Sequence, residues 1–140
     1  KKRLLGGTNP SPYVNHKDIR YVNFAESYGP FEGHKDLFGD GSLILLPTPG
    51  HTPGHTSVLV NLHETSLLIT GDVAWVDANW QGPTPKGWLI QTLLEFDNVD
   101  TMDSLQRIHD WSKAHPELLI LAGHEPKNRT RLKLAPEQYR

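Results

Sequence analysis

The chain has 140 residues, 36% of them hydrophobic and 21% charged, with a net charge of −2 and no cysteine. That is about one domain. It has no basic block for binding nucleic acid through phosphates, and no apolar run near the ~20 residues of a membrane helix. Disulfides and thiolate sites are excluded, so any metal must be held by His, Asp or Glu; eight histidines are present. No signal peptide is visible. The expectation is a soluble protein of the cytoplasm rather than the periplasm, although a sequence opening on Lys1 says little about compartment.

Eleven prolines and twelve glycines point to a loop-rich protein. Residues 1–14 read as loop. Asn15 is placed to cap a helix over 16–28, with Ile19, Val22 and Ala25 every third residue and Gly29-Pro30 as its stop. Phe31 to Gly41 reads as a turn-rich linker. The apolar run Leu43–Leu46, closed by Pro47, predicts a buried strand. A loop over 48–56 leads into strands at 57–62 and 66–70, which read as a hairpin. Residues 71–98 form a long irregular stretch with Trp75, Trp80 and Trp88 and a short helix near 86–95. Asp100 is placed to cap a helix in which Met102, Leu105, Ile108 and Trp111 keep the helical period to about His115. A strand at 118–122 follows, then a polar, basic tail with a last short helix. Strands apolar on both faces suit a sheet covered by other layers. The class is mixed α/β, in one domain without repeats.

Three polar signals share one placement, each just past the end of an apolar strand. His51 follows strand 43–46 within PTPGH, Gly71-Asp72 follows strand 66–70, and Gly123-His124 follows strand 118–122. Side chains at strand ends meet at one edge of a sheet, and a preceding glycine lets the chain turn sharply there. Two imidazoles and a carboxylate without sulfur suit a catalytic metal site with open positions.

The strings TPGHTPGH (48–55), LLITGD (67–72) and LAGHEP (121–126) resemble the later motifs of the metallo-β-lactamase superfamily, which includes glyoxalase II-like hydrolases and acyl-homoserine lactonases. The resemblance runs over roughly residues 40–125, and GDGSLILLPTPGHTPGHTSVLV (39–60) is its most specific part. It implies an αββα sandwich of two similar halves around a cleft with two zinc ions; iron or manganese suits the same ligands. It implies His51 as a ligand of the first metal, Asp72 as the catalytic carboxylate bridging both metals, and His124 as the last ligand of the second. In the family a bridging hydroxide attacks the carbonyl carbon of a small-molecule ester, lactone or thioester. The first histidine of the pair binds metal there, so His55 is expected to support the ligand loop by hydrogen bonding. Trp75, Trp80 and Trp88 are candidates for an apolar acyl-binding wall, or for core packing beneath a long loop. Acyl-homoserine lactonases carry a tyrosine three residues after the bridging aspartate. Trp75 stands at that position and has no hydroxyl, a departure that argues against the lactonase branch.

The family signature H-x-H-x-D-H, which supplies four further ligands, is absent. His16-Lys17-Asp18 and His34-Lys35-Asp36 lack its spacing, and they also miss the H-x-K pattern of phospholipase D. Residues 1–140 are therefore expected to form a partial domain: the C-terminal half of the sandwich, without its N-terminal half. The parent protein is then a metal-dependent hydrolase. The chain alone is expected to be inactive, because two protein ligands do not hold a zinc ion well. A sheet face left open to water needs the missing half or a second chain as partner. The competing expectation is a non-catalytic half-domain serving as a scaffold or interaction module. A third, oxidoreductase chemistry on iron, rests on the same ligand types.

Overall fold

Leu43–Pro47 (β2), Thr56–Asn61 (β3) and Ser66–Gly71 (β4) form where the apolar runs predict them. The computed structural model describes residues 21–132. Lys35–Asp36 (β1) precedes these strands and Leu119–Ala122 (β5) follows, giving one five-stranded sheet in the order β1-β2-β3-β4-β5. The first three pairings are antiparallel, and β4 with β5 is parallel. The expected hairpin is β3–β4, with Asn61 opposite Ser66 and the Leu62 N–H bonded to the Thr65 carbonyl at 2.9 Å. β1 lies in the stretch read as linker; Asp36 accepts bonds from the amides of Phe38, Gly39 and Gly41 and so closes the turn into β2.

Register aligns one buried row across four strands: Ile44, Leu59, Leu68 and Ile120. The helix Asn98–Ala114 (α3) covers this face with Leu105, Ile108 and Trp111, each buried in the same core. On the opposite face Leu45, Val58, Ile69 and Leu121 share a row, as do Leu43, Val60, Leu67 and Leu119. Cover there is partial: Leu121 and Leu67 are buried, Ile69 is 42% exposed, and Leu43, Leu45, Val58, Val60 and Leu119 are half-buried.

Three expectations need correction. The described part of the predicted helix, residues 21–28, is not helical; its cap Asn15 and Ile19 lie outside the described residues. Ala25 instead bridges His34, and Tyr28 bridges Phe31. This turn sets Tyr28 and Phe31 edge-on to Trp111, at 6.0 and 5.3 Å between ring centroids, and Phe31 is fully buried. Aromatic packing on α3 outweighs a weak three-residue periodicity. The cap of α3 is Asp97, one turn before Asp100; its carboxylate accepts from the amides of Val99 and Asp100 at 2.8 and 3.1 Å. Finally, the stretch 71–98 holds two helices, Asp77–Gln81 (α1) as well as Trp88–Leu93 (α2). Asn79 organises the first by accepting from the amides of Trp75 and Val76. A last turn, Asn128–Arg131 (α4), is tied to α1 by the Arg131–Asp77 ion pair. Among the described residues no helix is long and apolar enough to cross a membrane.

Candidate functional site

Three strand exits meet at one end of the sheet. After β2, Gly50 takes φ +132° and lies so close to α3 that a Cβ would sit 2.3 Å from the Thr101 amide nitrogen. Its carbonyl accepts from the Asp97 N–H at 2.9 Å, and the Ser104 hydroxyl donates to the Pro49 carbonyl at 2.8 Å. The loop that presents His51 is thus pinned to the start of α3. After β4 and β5, the Gly123 and His124 amides bond to the carbonyls of Ala74 and Trp75 at 2.8 and 2.7 Å. Only a residue without a Cβ fits at Gly123, where one would lie 2.6 Å from the Gly71 carbonyl oxygen.

These loops bring His51, Asp72 and His124 together. The Asp72 carboxylate lies between two imidazoles, with Oδ2 3.7 Å from His51 Nε2 and Oδ1 3.0 Å from His124 Nε2. Asp72 and His124 are solvent-accessible, while His51 is mostly covered. Among the described residues, no three His, Cys, Asp or Glu side chains converge on a single ion-sized point. The arrangement is two adjoining pairs of donors that share one carboxylate.

His55 ties two of the loops together. Its Nε2 accepts the Asp72 N–H at 3.1 Å, so the ring proton sits on Nδ1 and donates to the Thr48 carbonyl at 3.0 Å. The Thr48 hydroxyl, 2.9 Å from Nδ1, continues to Ser57. Burial pushes the His55 pKa down; the Thr48 carbonyl opposes this and the nearby His51 adds to it. A histidine whose native pKa is depressed resists a proton that the unfolded chain accepts, so stability is full above the unfolded value of about 6.5 and falls as pH drops below it. In metal-free protein, the thermal midpoint is expected to fall more steeply between about pH 7 and about pH 5 in wild type than in His55→Gln. Equal slopes would remove His55 from the account.

Behind His51 lies a buried group that belongs to none of the three motifs. Glu95, 1% exposed, accepts from His51 Nδ1 at 3.1 Å, from Lys86, and from the Thr101 hydroxyl at 2.6 Å. Lys86 is 5% exposed and also donates to the Asp72 carbonyl. Burial alone would raise the Glu95 carboxyl, but the hydrogen bonds from Lys86, Thr101 and His51 outweigh it and hold the pKa below the ordinary glutamate value. Lys86 stands between Pro85 and Gly87 and Glu95 between Leu94 and Phe96, in the stretch read as irregular; the apolar neighbours of Glu95 are the one sequence signal of its burial.

The three tryptophans part company. Trp75 lies against the His124 ring at 5.0 Å, with the Lys86 ammonium 5.5 Å from its own ring centre. Trp80 packs against the core and donates to Asp77. Trp88 is 75% exposed on α2.

The family model described as the metallo-beta-lactamase superfamily matches residues 4–124, beginning well upstream of the motifs. The chain is 36% identical over 112 residues to an N-acyl homoserine lactonase of Rhizobium radiobacter, covering 79% of this chain and 40% of that protein. A lactonase of the same description from Azorhizobium caulinodans is 33% identical over 109 residues, covering 77% and 39%. Among solved structures, an N-acyl homoserine lactone hydrolase with the product N-hexanoyl-L-homoserine at its catalytic metal center superposes with a TM-score of 0.60 at 26% identity, covering 76% of this chain and 39% of that one. The chain spans about two fifths of the length of these relatives. The similarity to these lactonases runs against the expectation drawn from Trp75. The chain belongs to the metallo-beta-lactamase superfamily.

Proposed function

We propose that this chain supplies part of the two-metal centre of a lactone hydrolase. The observation that carries this reading is the Asp72 carboxylate, whose two oxygens face two different imidazole nitrogens. The donor set fits a metal: His51 has its Nδ1 engaged by Glu95 and its Nε2 directed at Asp72, the carboxylate–histidine arrangement common among metal ligands. His51 would hold one ion, His124 the other, and Asp72 both. Zinc suits these nitrogen and oxygen donors, as do iron and manganese. Bound, such ions lower the pKa of water and polarise a carbonyl, the chemistry that opening a lactone requires.

The chain's own residues do the rest. Glu95 and His55 fix the loops that carry His51 and Asp72, and Trp75 packs against the His124 ring beside the open side of the carboxylate. The substrate class is a small-molecule lactone, with other esters and thioesters as neighbours in the same chemistry; the lactonase relatives support this. Two donors per ion do not make a well-held zinc site. The remaining ligands belong to a preceding half carrying H-x-H-x-D-H, and residues 1–140 act as a partial domain.

Metal content tests this. Pure chain dialysed against zinc is expected to keep well under one tightly held ion and to leave a lactone unhydrolysed. One or two tightly held ions, lost in His51→Ala, would show a site complete within this chain and overturn the partial-domain reading. Zinc binding that is unchanged in both His51→Ala and Asp72→Ala would overturn the site itself.

A further inference from the structure

We infer that the buried Lys86–Glu95 pair positions the metal-facing imidazole of His51, holding its proton on Nδ1 and its spacing to Asp72. The inference rests on the two-metal reading for its purpose, but not for its geometry. Glu95 Oε1 accepts from both His51 Nδ1 and Lys86, while Oε2 takes the Thr101 hydroxyl. A carboxylate accepts only, so the shared proton lies on Nδ1 and the Nε2 lone pair is free. The same ammonium bonds to the Asp72 carbonyl, so one side chain sets the separation of two site residues.

The surroundings argue against a purely structural pair. Lys86 and Glu95 flank α2, and no residue of α2 itself is buried. The segment is docked through its two charged ends, where apolar side chains would serve at least as well, since a buried ion pair rarely outperforms packed hydrophobic residues of similar volume. What apolar residues cannot do is orient an imidazole. Lys86 also faces the Trp75 ring, which packs against His124, so the ammonium touches the supports of all three site residues.

The test uses the metal-free chain labelled with 15N at histidine, read by NMR, together with zinc titration. Wild type is expected to show His51 as the Nδ1–H tautomer. The double variant Lys86→Met/Glu95→Leu removes both charges without stranding either. It is expected to stay folded, show mixed tautomers at His51, and bind zinc about 10–100-fold more weakly. Glu95→Gln keeps the shape and offers an amide oxygen to Nδ1–H, so it should retain the tautomer and fall between the two in affinity. An unchanged tautomer in the folded double variant would overturn the inference, and so would a mixed one in folded Glu95→Gln. If the double variant does not fold, Glu95→Gln alone decides. Zinc binding by wild type too weak to titrate agrees with a site short of its remaining ligands, and the tautomer result then judges the positioning role by itself.

Discussion

Gly50→Ala is expected to cost about 3 kcal/mol or more and to displace His51 from Asp72. Two penalties combine at this position. The backbone stands at φ +132°, where a side chain is strained by about 1–3 kcal/mol. A Cβ would also lie 2.3 Å from both the Thr101 amide nitrogen and its hydroxyl. The amide belongs to the first turn of α3 and cannot swing aside. Relief requires the loop to leave the helix, which breaks the Gly50 carbonyl's bonds to the amides of Phe96 and Asp97. Gly54, four residues on, is the control: a Cβ there meets nothing within 4 Å. Chemical denaturation of Gly50→Ala beside Gly54→Ala checks this, and equal stabilities would refute the clamp.

The second large effect separates the two faces of β4. Leu68→Ala should cost about 3 kcal/mol, because it opens a cavity between Leu59, Ile120 and α3 in a core with no exposure. Its neighbour Ile69 points the other way and is 42% exposed, so Ile69→Ala should cost about 1 kcal/mol or less. Urea unfolding of both variants measures the difference. Equal costs would mean that the second face is covered in solution as fully as the first.

Strands and site loops were legible because both depend on local pattern. Short apolar runs ended by Pro or Gly read as strands, and the glycines beside His51, Asp72 and His124 mark turns that the fold uses. Trp111 and its helical neighbours declared their buried stripe. The segment 21–28 misled, since its conformation is decided by the docking of Tyr28 and Phe31 on a helix some eighty residues away. Asp97 and Asp100 are both aspartates near the helix start, and only the chain direction entering α3 tells the cap from the first-turn residue. Lys86 and Glu95 were invisible for a deeper reason. Charge predicts exposure, and the apolar neighbours of Glu95 do not by themselves announce that two charges will be buried on each other.

The parallel pairing of β4 with β5 also has a consequence for how the molecule comes into being. Strands β1 to β4 each pair with the next in the chain and close short loops, whereas β5 reaches β4 only after α3 has crossed the sheet. Asp72 and His124 meet across 52 residues. Synthesis proceeds from the N-terminus, and distant pairings form more slowly than local ones. On the ribosome, the meander carrying His51 and Asp72 can therefore form while His124 is still to be made. The His124 imidazole arrives with β5, so the nascent chain gathers these three side chains in sequence, and the cluster closes only when the parallel strand is laid down.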